Sequence, residues 1–137
     1  MRIFLDSSAL AKRYVQEKGT EIILERCASA TEIILSVLCI PEIVSAFNRL
    51  RREEKVSTFQ YHSLKRDFIR DVEQVTMIEV TPFVLKKSID CLEQATLRSL
   101  DAIQVASAIE ASSDLFLSAD RRQCHAAVGM KLKVERV

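Results

Sequence analysis

Arg2-Ile3-Phe4-Leu5-Asp6-Ser7-Ser8 is a short apolar run that stops on a carboxylate and two hydroxyls. An apolar run without polar alternation fits a central strand of a parallel sheet, whose two faces are both covered. Ser7 and Ser8 then serve as cap residues for a helix expected over residues 9–16. Gly19 stops that helix, and Thr20 caps a second one that runs through Ile22, Ile23 and Leu24 to residue 28.

The pattern repeats outward from there. Ile33-Ile34-Leu35-Ser36-Val37 reads as a second strand, and Pro41 stands where a helix starts well, because its missing N–H would be unpaired there anyway. Ile43, Phe47 and Leu50 follow at helical spacing, with Arg49, Arg51, Arg52, Glu53, Glu54 and Lys55 as a solvated helix end. Ser57 starts another helix, on which Tyr61, Leu64, Phe68, Val72 and Val75 form one apolar stripe suited to core packing or to a docked partner. Residues 77–80 are a third strand. Thr81-Pro82 opens a helix carrying Val84, Leu85, Ile89 and Leu92, and Ser99 caps one over residues 100–111 that is apolar or small nearly all round, hence central and buried. Leu115-Phe116-Leu117-Ser118 is a further strand, residues 121–128 a short helix ended by Gly129, and residues 132–135 an edge strand. Strands alternating with helices predict an α/β fold with a mostly parallel sheet. A length of 137 residues fits one domain over 1–137.

Composition narrows the class. Hydrophobic residues make up 48% and charged residues 28%, with only 2 Gly and 2 Pro, which argues against low complexity and against a loop-rich or all-β design. A net charge of +1 lacks the basic excess of a protein that coats nucleic acid, so any grip on phosphates must come from a local patch. Cys27, Cys39, Cys91 and Cys124 have no C-x-x-C spacing, and the first residues do not resemble a secretory signal peptide. They are expected to be reduced, mostly buried thiols of a cytoplasmic protein. No apolar run approaches the roughly 20 residues of a membrane span.

In open parallel sheets, sites form at the carboxyl ends of the strands. Asp6 stands at one such end and Asp120 two residues past another, while Glu42 and Asp101 each fall in the first turn of a helix. A carboxylate near a helix N-terminus is also explained by the dipole alone, worth about 0.3–1 kcal/mol. Asp6 is harder to explain that way, because an unpaired charge beside a buried strand is costly. Converging carboxylates repel, and one protonates unless a cation shares the site. Oxygen ligands without a Cys or His set favour magnesium or manganese, ions that activate water against a phosphodiester. Spacing alone does not establish that the four meet.

At these residues the sequence resembles the PIN domain family, specifically the VapC-type toxins of bacterial and archaeal toxin–antitoxin pairs. Phe4-Leu5-Asp6-Ser7-Ser8-Ala9-Leu10-Ala11-Lys12-Arg13-Tyr14 looks like the family's first strand and helix. Pro41-Glu42-Ile43 with Ala46, residues 97–108 around Asp101, and Leu117-Ser118-Ala119-Asp120-Arg121-Arg122 are similar to its second, third and fourth acidic motifs. The resemblance implies a three-layer α/β/α sandwich and a Mg2+- or Mn2+-dependent endoribonuclease. Asp6 and Asp101 become the foremost metal ligands, Asp120 and Glu42 bind directly or through water, and Ser7 and Ser118 orient the first and last carboxylates. It further implies an RNA substrate, a cognate antitoxin whose tail brings a basic side chain to the carboxylates, and a homodimer. One departure is Gln104 with Val105, where many relatives carry His and Leu; it falls outside the acidic set.

Lys12, Arg13, Arg121 and Arg122 flank two of the motifs and are candidates for contact with RNA, or else solvated helix faces. His62 and His125 have no ligand-spaced neighbour and are assigned no chemistry. Phosphoryl transfer through an aspartyl intermediate on Asp6 is disfavoured, since Ser8 stands where such hydrolases usually carry a second Asp. A PIN-like module that only binds RNA or protein is the remaining rival.

Overall fold

Side chains alternate across a strand, and in the first strand that alternation sets up the layers. In the computed structural model, which describes residues 1–137, Ile3 and Leu5 enter one core and Phe4 the other. Five strands form a single sheet: β1 (Arg2–Leu5), β2 (Glu32–Ser36), β3 (Thr76–Ile78), β4 (Leu115–Ser118) and β5 (Val134–Arg136). All pairings are parallel, in the order β3-β2-β1-β4-β5. The helices are α1 (Ser7–Tyr14), α2 (Thr20–Ser29), α3 (Cys39–Arg52), α4 (Thr58–Val72), α5 (Pro82–Gln94), α6 (Ser99–Glu110) and α7 (Arg121–Gly129).

The α/β/α sandwich follows from the two cores. Ile3, Leu5, Leu35, Leu115 and Leu117 pack with α1, α2, α3 and α4 through Leu10, Ile23, Phe47 and Phe68. Phe4, Ile34 and Phe116 pack with α5, α6 and α7 through Cys91, Val105 and Ala127. The rings of Phe4 and Phe116 stack at 5.7 Å across neighbouring strands. As its composition predicts, α6 is buried along most of its length, since Ala, Val and Ser at the contact let it lie close to the sheet. No helix is long and apolar enough to cross a membrane.

Several boundaries differ from the sequence reading. Asp6, not Ser7 or Ser8, caps α1 by accepting the amide of Ala9 at 2.9 Å. Helix α3 starts at Cys39, so Pro41 sits within its first turn, where no intrahelical donor is needed. Gly19 is the cap residue of α2, and Thr20 instead donates its hydroxyl to the carbonyl of Lys12 at 2.8 Å. Gly19 has φ +96°, and a Cβ there would lie 2.9 Å from the backbone of Val137, so glycine is required. The third strand is shorter than residues 77–80, and the last begins at Val134, because pairing with β2 and β4 ends there. The stripe from Tyr61 to Val75 is core: Tyr61 and Phe68 are buried, and Leu64, Val72 and Val75 pack against them. It is not a free docking surface. All four cysteines are free thiols, three of them buried.

Candidate active site

The chain runs from β1 outward through β2 to β3, then returns to the other side of β1 as β4. The junction of β1 and β4 is therefore the topological switch point, where a crevice opens at the strand ends. Leu5 pairs with Leu117, so Asp6 and Ser118 emerge side by side.

Asp6 is fully buried. Its Oδ1 accepts from the Ser8 hydroxyl at 2.7 Å and the Ala9 amide, and its Oδ2 accepts from the Ser118 hydroxyl. Burial pushes its pKa up from 3.8 to about 6; the hydrogen bonds from Ser118, Ala9 and Ser8 act downward, and the charge of Asp120 adds to the rise. The Ser118 oxygen also accepts the Asp120 amide at 3.0 Å, so one hydroxyl links the two acidic residues. Asp120 caps α7, its Oδ1 accepting the amides of Arg122 and Gln123 at 2.8 and 3.0 Å.

Gln123 joins Asp120 to the next acid. Its side-chain amide donates to Oδ1 of Asp101 at 2.9 Å, while Arg98 Nε lies 3.2 Å from Oδ2. Asp101 and Asp120 line one cavity of about 490 Å³ with Arg98, Arg121 and Arg122. Arg98 is held above the ordinary guanidinium value first by its hydrogen bond and charge contact with Asp101, then by Asp120 and Glu42. Glu42 lies on the far side of Arg98, in an adjoining cavity. Its Oε1 accepts from Ser7 Oγ at 2.9 Å and from Gln104 Nε2 at 2.7 Å. Ser118 thus links Asp6 to Asp120 and Gln123 links Asp120 to Asp101, while Glu42 stands across Arg98 in the adjoining cavity.

The hydroxyl roles divide differently from the sequence expectation. The Ser118 hydroxyl donates to the carboxylate of Asp6 and accepts the backbone amide of Asp120, leaving the Asp120 carboxylate to the α7 amides. Ser7 turns to Glu42, and Ser8 takes its place at Asp6. Gln104, set outside the acidic set in the sequence, touches Glu42. The signal was its position three residues after Asp101 on the same buried face of α6. Gln123 stands likewise three residues after Asp120. Both amides keep a buried carbonyl oxygen without a partner, Gln104 Oε1 and Gln123 Oε1. Such an orphan costs about 1–3 kcal/mol, tolerable because each amide's donor end meets a carboxylate.

Two cationic candidates are withdrawn from the site. Lys12 is buried, its Nζ donating to the carbonyl of Lys18 at 2.5 Å with Glu17 at 3.7 Å. Arg13 lines an apolar cavity with Tyr14 and Asp71. Both lie in the last turn of α1, roughly 9 Å of helical rise beyond its capped end, and there they complement the dipole. Arg121 and Arg122 remain beside the acids, and His125 stands with them in a neighbouring cavity.

As they stand, no three of the chain's His, Cys, Asp and Glu side chains are close enough together to hold an ion. The donor chemistry nonetheless suits a hard divalent cation: the Oδ2 of Asp120 and the Oε2 of Glu42 accept no hydrogen bond from the protein, and the Oδ2 of Asp101 meets only the exposed Arg98.

A family model described as PIN domain matches residues 3–129. The chain belongs to the PIN domain family. Three solved structures show the same fold as this PIN domain. VapC20 of Mycobacterium tuberculosis, described as a Sarcin-Ricin loop cleaving toxin, is 17% identical with a TM-score of 0.67, the match covering 90% of this chain and 94% of that one. VapBC2 of Rickettsia felis, bound to a DNA fragment from its promoter, is 14% identical with a TM-score of 0.70 over 100% and 99% of the two chains. FitAcB of Neisseria gonorrhoeae is 13% identical with a TM-score of 0.74 over 96% and 95%. No curated protein sequence matches the chain.

Proposed function

We propose that this PIN domain is an endoribonuclease that hydrolyses RNA phosphodiester bonds with a divalent cation, Mg2+ or Mn2+, and that it acts in the cytoplasm as the toxin of a type II toxin–antitoxin pair. What supports the reading is the chain of hydrogen bonds at the β1/β4 switch point that links Asp6 to Asp120 through Ser118 and Asp120 to Asp101 through Gln123. Glu42 stands in the cavity that adjoins across Arg98, and the chain closes although 114 residues separate Asp6 from Asp120. A binding module has no use for a repulsive cluster of this kind, whereas a metal-dependent hydrolase does.

Asp6 and Asp101 would be the foremost residues to hold the cation, with Asp120 and Glu42 binding directly or through water. Asp101, Asp120 and Glu42 each have an oxygen with no partner but the exposed Arg98, whereas both oxygens of Asp6 already accept hydrogen bonds. When bound, the ion supplies a water nucleophile at neutral pH and Lewis acidity at the phosphate. The chain's own side chains do the rest. Ser8, Ser118 and the Ala9 amide fix the rotamer of Asp6, while Gln104 and Gln123 hold Glu42 and Asp101 against mutual repulsion. Arg121 and Arg122 stand at the rim, where guanidinium forks suit phosphate oxygens. A cognate antitoxin belongs to the same proposal, supported by a toxin–antitoxin complex among proteins of this fold, and a homodimer belongs to it on the resemblance to VapC-type toxins alone.

Purified protein incubated with mixed RNAs should cut in Mn2+ and stop in chelator, and Asp6→Asn and Asp101→Asn should each abolish cutting. Cleavage that survives both substitutions overturns the reading. The absence of a ready three-acid group favours the rival, a non-catalytic module, at one point only. That rival predicts RNA binding without any metal-dependent cleavage. For the toxin role, induction should arrest growth, and co-expression of a small neighbouring gene should relieve the arrest.

A further inference from the structure

Arg98 is the one residue that lines both cavities of the acidic site, the one with Asp101 and Asp120 and the one with Glu42. It immediately precedes α6, three residues before Asp101, and that spacing brings the two side chains together at the helix start. Nε of Arg98 lies 3.2 Å from Oδ2 of Asp101. This is the only ion pair that any of the four acids makes, and Arg121 and Arg122, in the same cavity as Asp101, make none.

The two partners are held very differently. The Asp101 side chain is 10% exposed, and its Oδ1 is fixed by the side-chain amide of Gln123 at 2.9 Å. The Arg98 side chain is 83% exposed, and its guanidinium makes no hydrogen bond besides the one to Oδ2. A pair with one partner so exposed is weak and easily exchanged. Oδ2 is also the only oxygen of Asp101 that no buried group holds. Arg98 therefore covers the atom that a hard cation needs. Its charge serves the neighbouring acids too: Asp101 foremost, then Asp120 and Glu42, hold its proton above the ordinary guanidinium value. The acids are still too far apart for any three to hold an ion, and drawing them closer takes more positive charge than one guanidinium supplies.

We infer that Arg98 is a tethered counter-ion of the acidic site: it occupies Oδ2 of Asp101 in the metal-free protein and swings out to solvent when a divalent cation binds. Two cations on one carboxylate oxygen repel each other, so each disfavours the other. Arg98 thus steadies the metal-free fold and lowers the affinity of the site for metal, two effects of one contact that linkage makes reciprocal. The inference rests on the nuclease reading for the presence of a metal. It makes Arg98 a positioning residue, acting through Asp101 rather than on the substrate.

The test is Mn2+ binding to the full chain, read by the loss of the free-ion electron paramagnetic resonance signal at about 0.15 M salt, where charges beyond about 8 Å are screened. Arg98→Ala should bind Mn2+ about tenfold more tightly than the parent, within the range usual for coupled sites. Arg98→Lys, which keeps the charge, should fall between the two, and Arg66→Ala on α4 should match the parent. Melting by circular dichroism supplies the second readout. In EDTA, Arg98→Ala should melt below the parent, and saturating Mn2+ should bring the two together. Both shifts are required. Equal or weaker Mn2+ binding by Arg98→Ala, or an undiminished melting temperature in EDTA, overturns the tethered counter-ion while leaving the nuclease reading in place. Tighter binding by Arg98→Ala without RNA cleavage by either protein sinks the nuclease reading and keeps the counter-ion. No Mn2+ binding by parent or variant sinks both.

Discussion

Gln104 Nε2 lies 2.7 Å from Oε1 of Glu42, and the carbonyl at the other end of that amide has no partner. An amide that spends its donor on a carboxylate and leaves its acceptor stranded marks where charge takes precedence over satisfaction. A hydrogen bond to a charged group is worth about 1.5–3 kcal/mol, comparable to the cost of the orphan. Gln104→Leu removes both and should change stability by less than about 1 kcal/mol. Gln104→Glu instead faces Glu42 with a second carboxylate. It should lower the melting temperature clearly at pH 8 and much less at pH 5, where one of the pair takes up a proton. Equal melting of the Glu variant at both pH values would contradict this account.

The metal-free protein should lose stability as pH rises from 4 to 6. Asp6 has a folded pKa of about 6 against 3.8 in the open chain, so between these values the folded state binds the extra proton. The contribution is fully present below pH 4, declines through pH 6 and is absent above it. Each pKa unit is worth about 1.36 kcal/mol, so the loss amounts to about 3 kcal/mol. Urea denaturation across this range should show the decline in the parent and a flatter profile in Asp6→Asn. A parental profile in the variant would assign the slope to other groups.

Asp120 combines two roles that two substitutions separate. Its carboxylate caps α7 through the amides of Arg122 and Gln123. Asparagine caps about as well as aspartate, whereas alanine costs about 0.5–2 kcal/mol. Asp120→Asn should therefore keep the parental melting temperature while cleavage is lost, and Asp120→Ala should lose both. A melting temperature in the Asn variant as low as in the Ala variant would show that charge, not capping, holds the helix end.

Thiol titration should find one accessible cysteine. Cys39, Cys91 and Cys124 are buried, and burial pushes the pKa of Cys39 up to about 12 and of Cys91 up to about 11. The half-buried Cys27 should react first with a disulfide reagent in the native protein, the others only on unfolding. Fast reaction of more than one thiol would contradict the packing.

Much of the fold was legible in the residues because it rests on local chemistry. Apolar runs at residues 3–5, 33–35 and 115–117 have to be covered on both faces, and helical periodicity between them leaves a parallel sheet as the economical arrangement. The acidic residues at strand ends and first helical turns were visible for the same reason, and the family motifs strengthened them. Strand order was not visible, and strand order decides the site: β4 returns beside β1 rather than beyond β3, which brings Asp6 within one serine of Asp120. Nor could sequence show that Ser8 replaces Ser7 at Asp6, that Gln104 and Gln123 brace the acids, or that Lys12 and Arg13 turn away. Those outcomes depend on which face of a helix meets the cleft, a rotation set by packing against the sheet rather than by the residues' own preferences. Local sequence determined the elements and the acids; tertiary contacts between distant segments decided which side chains share a cavity.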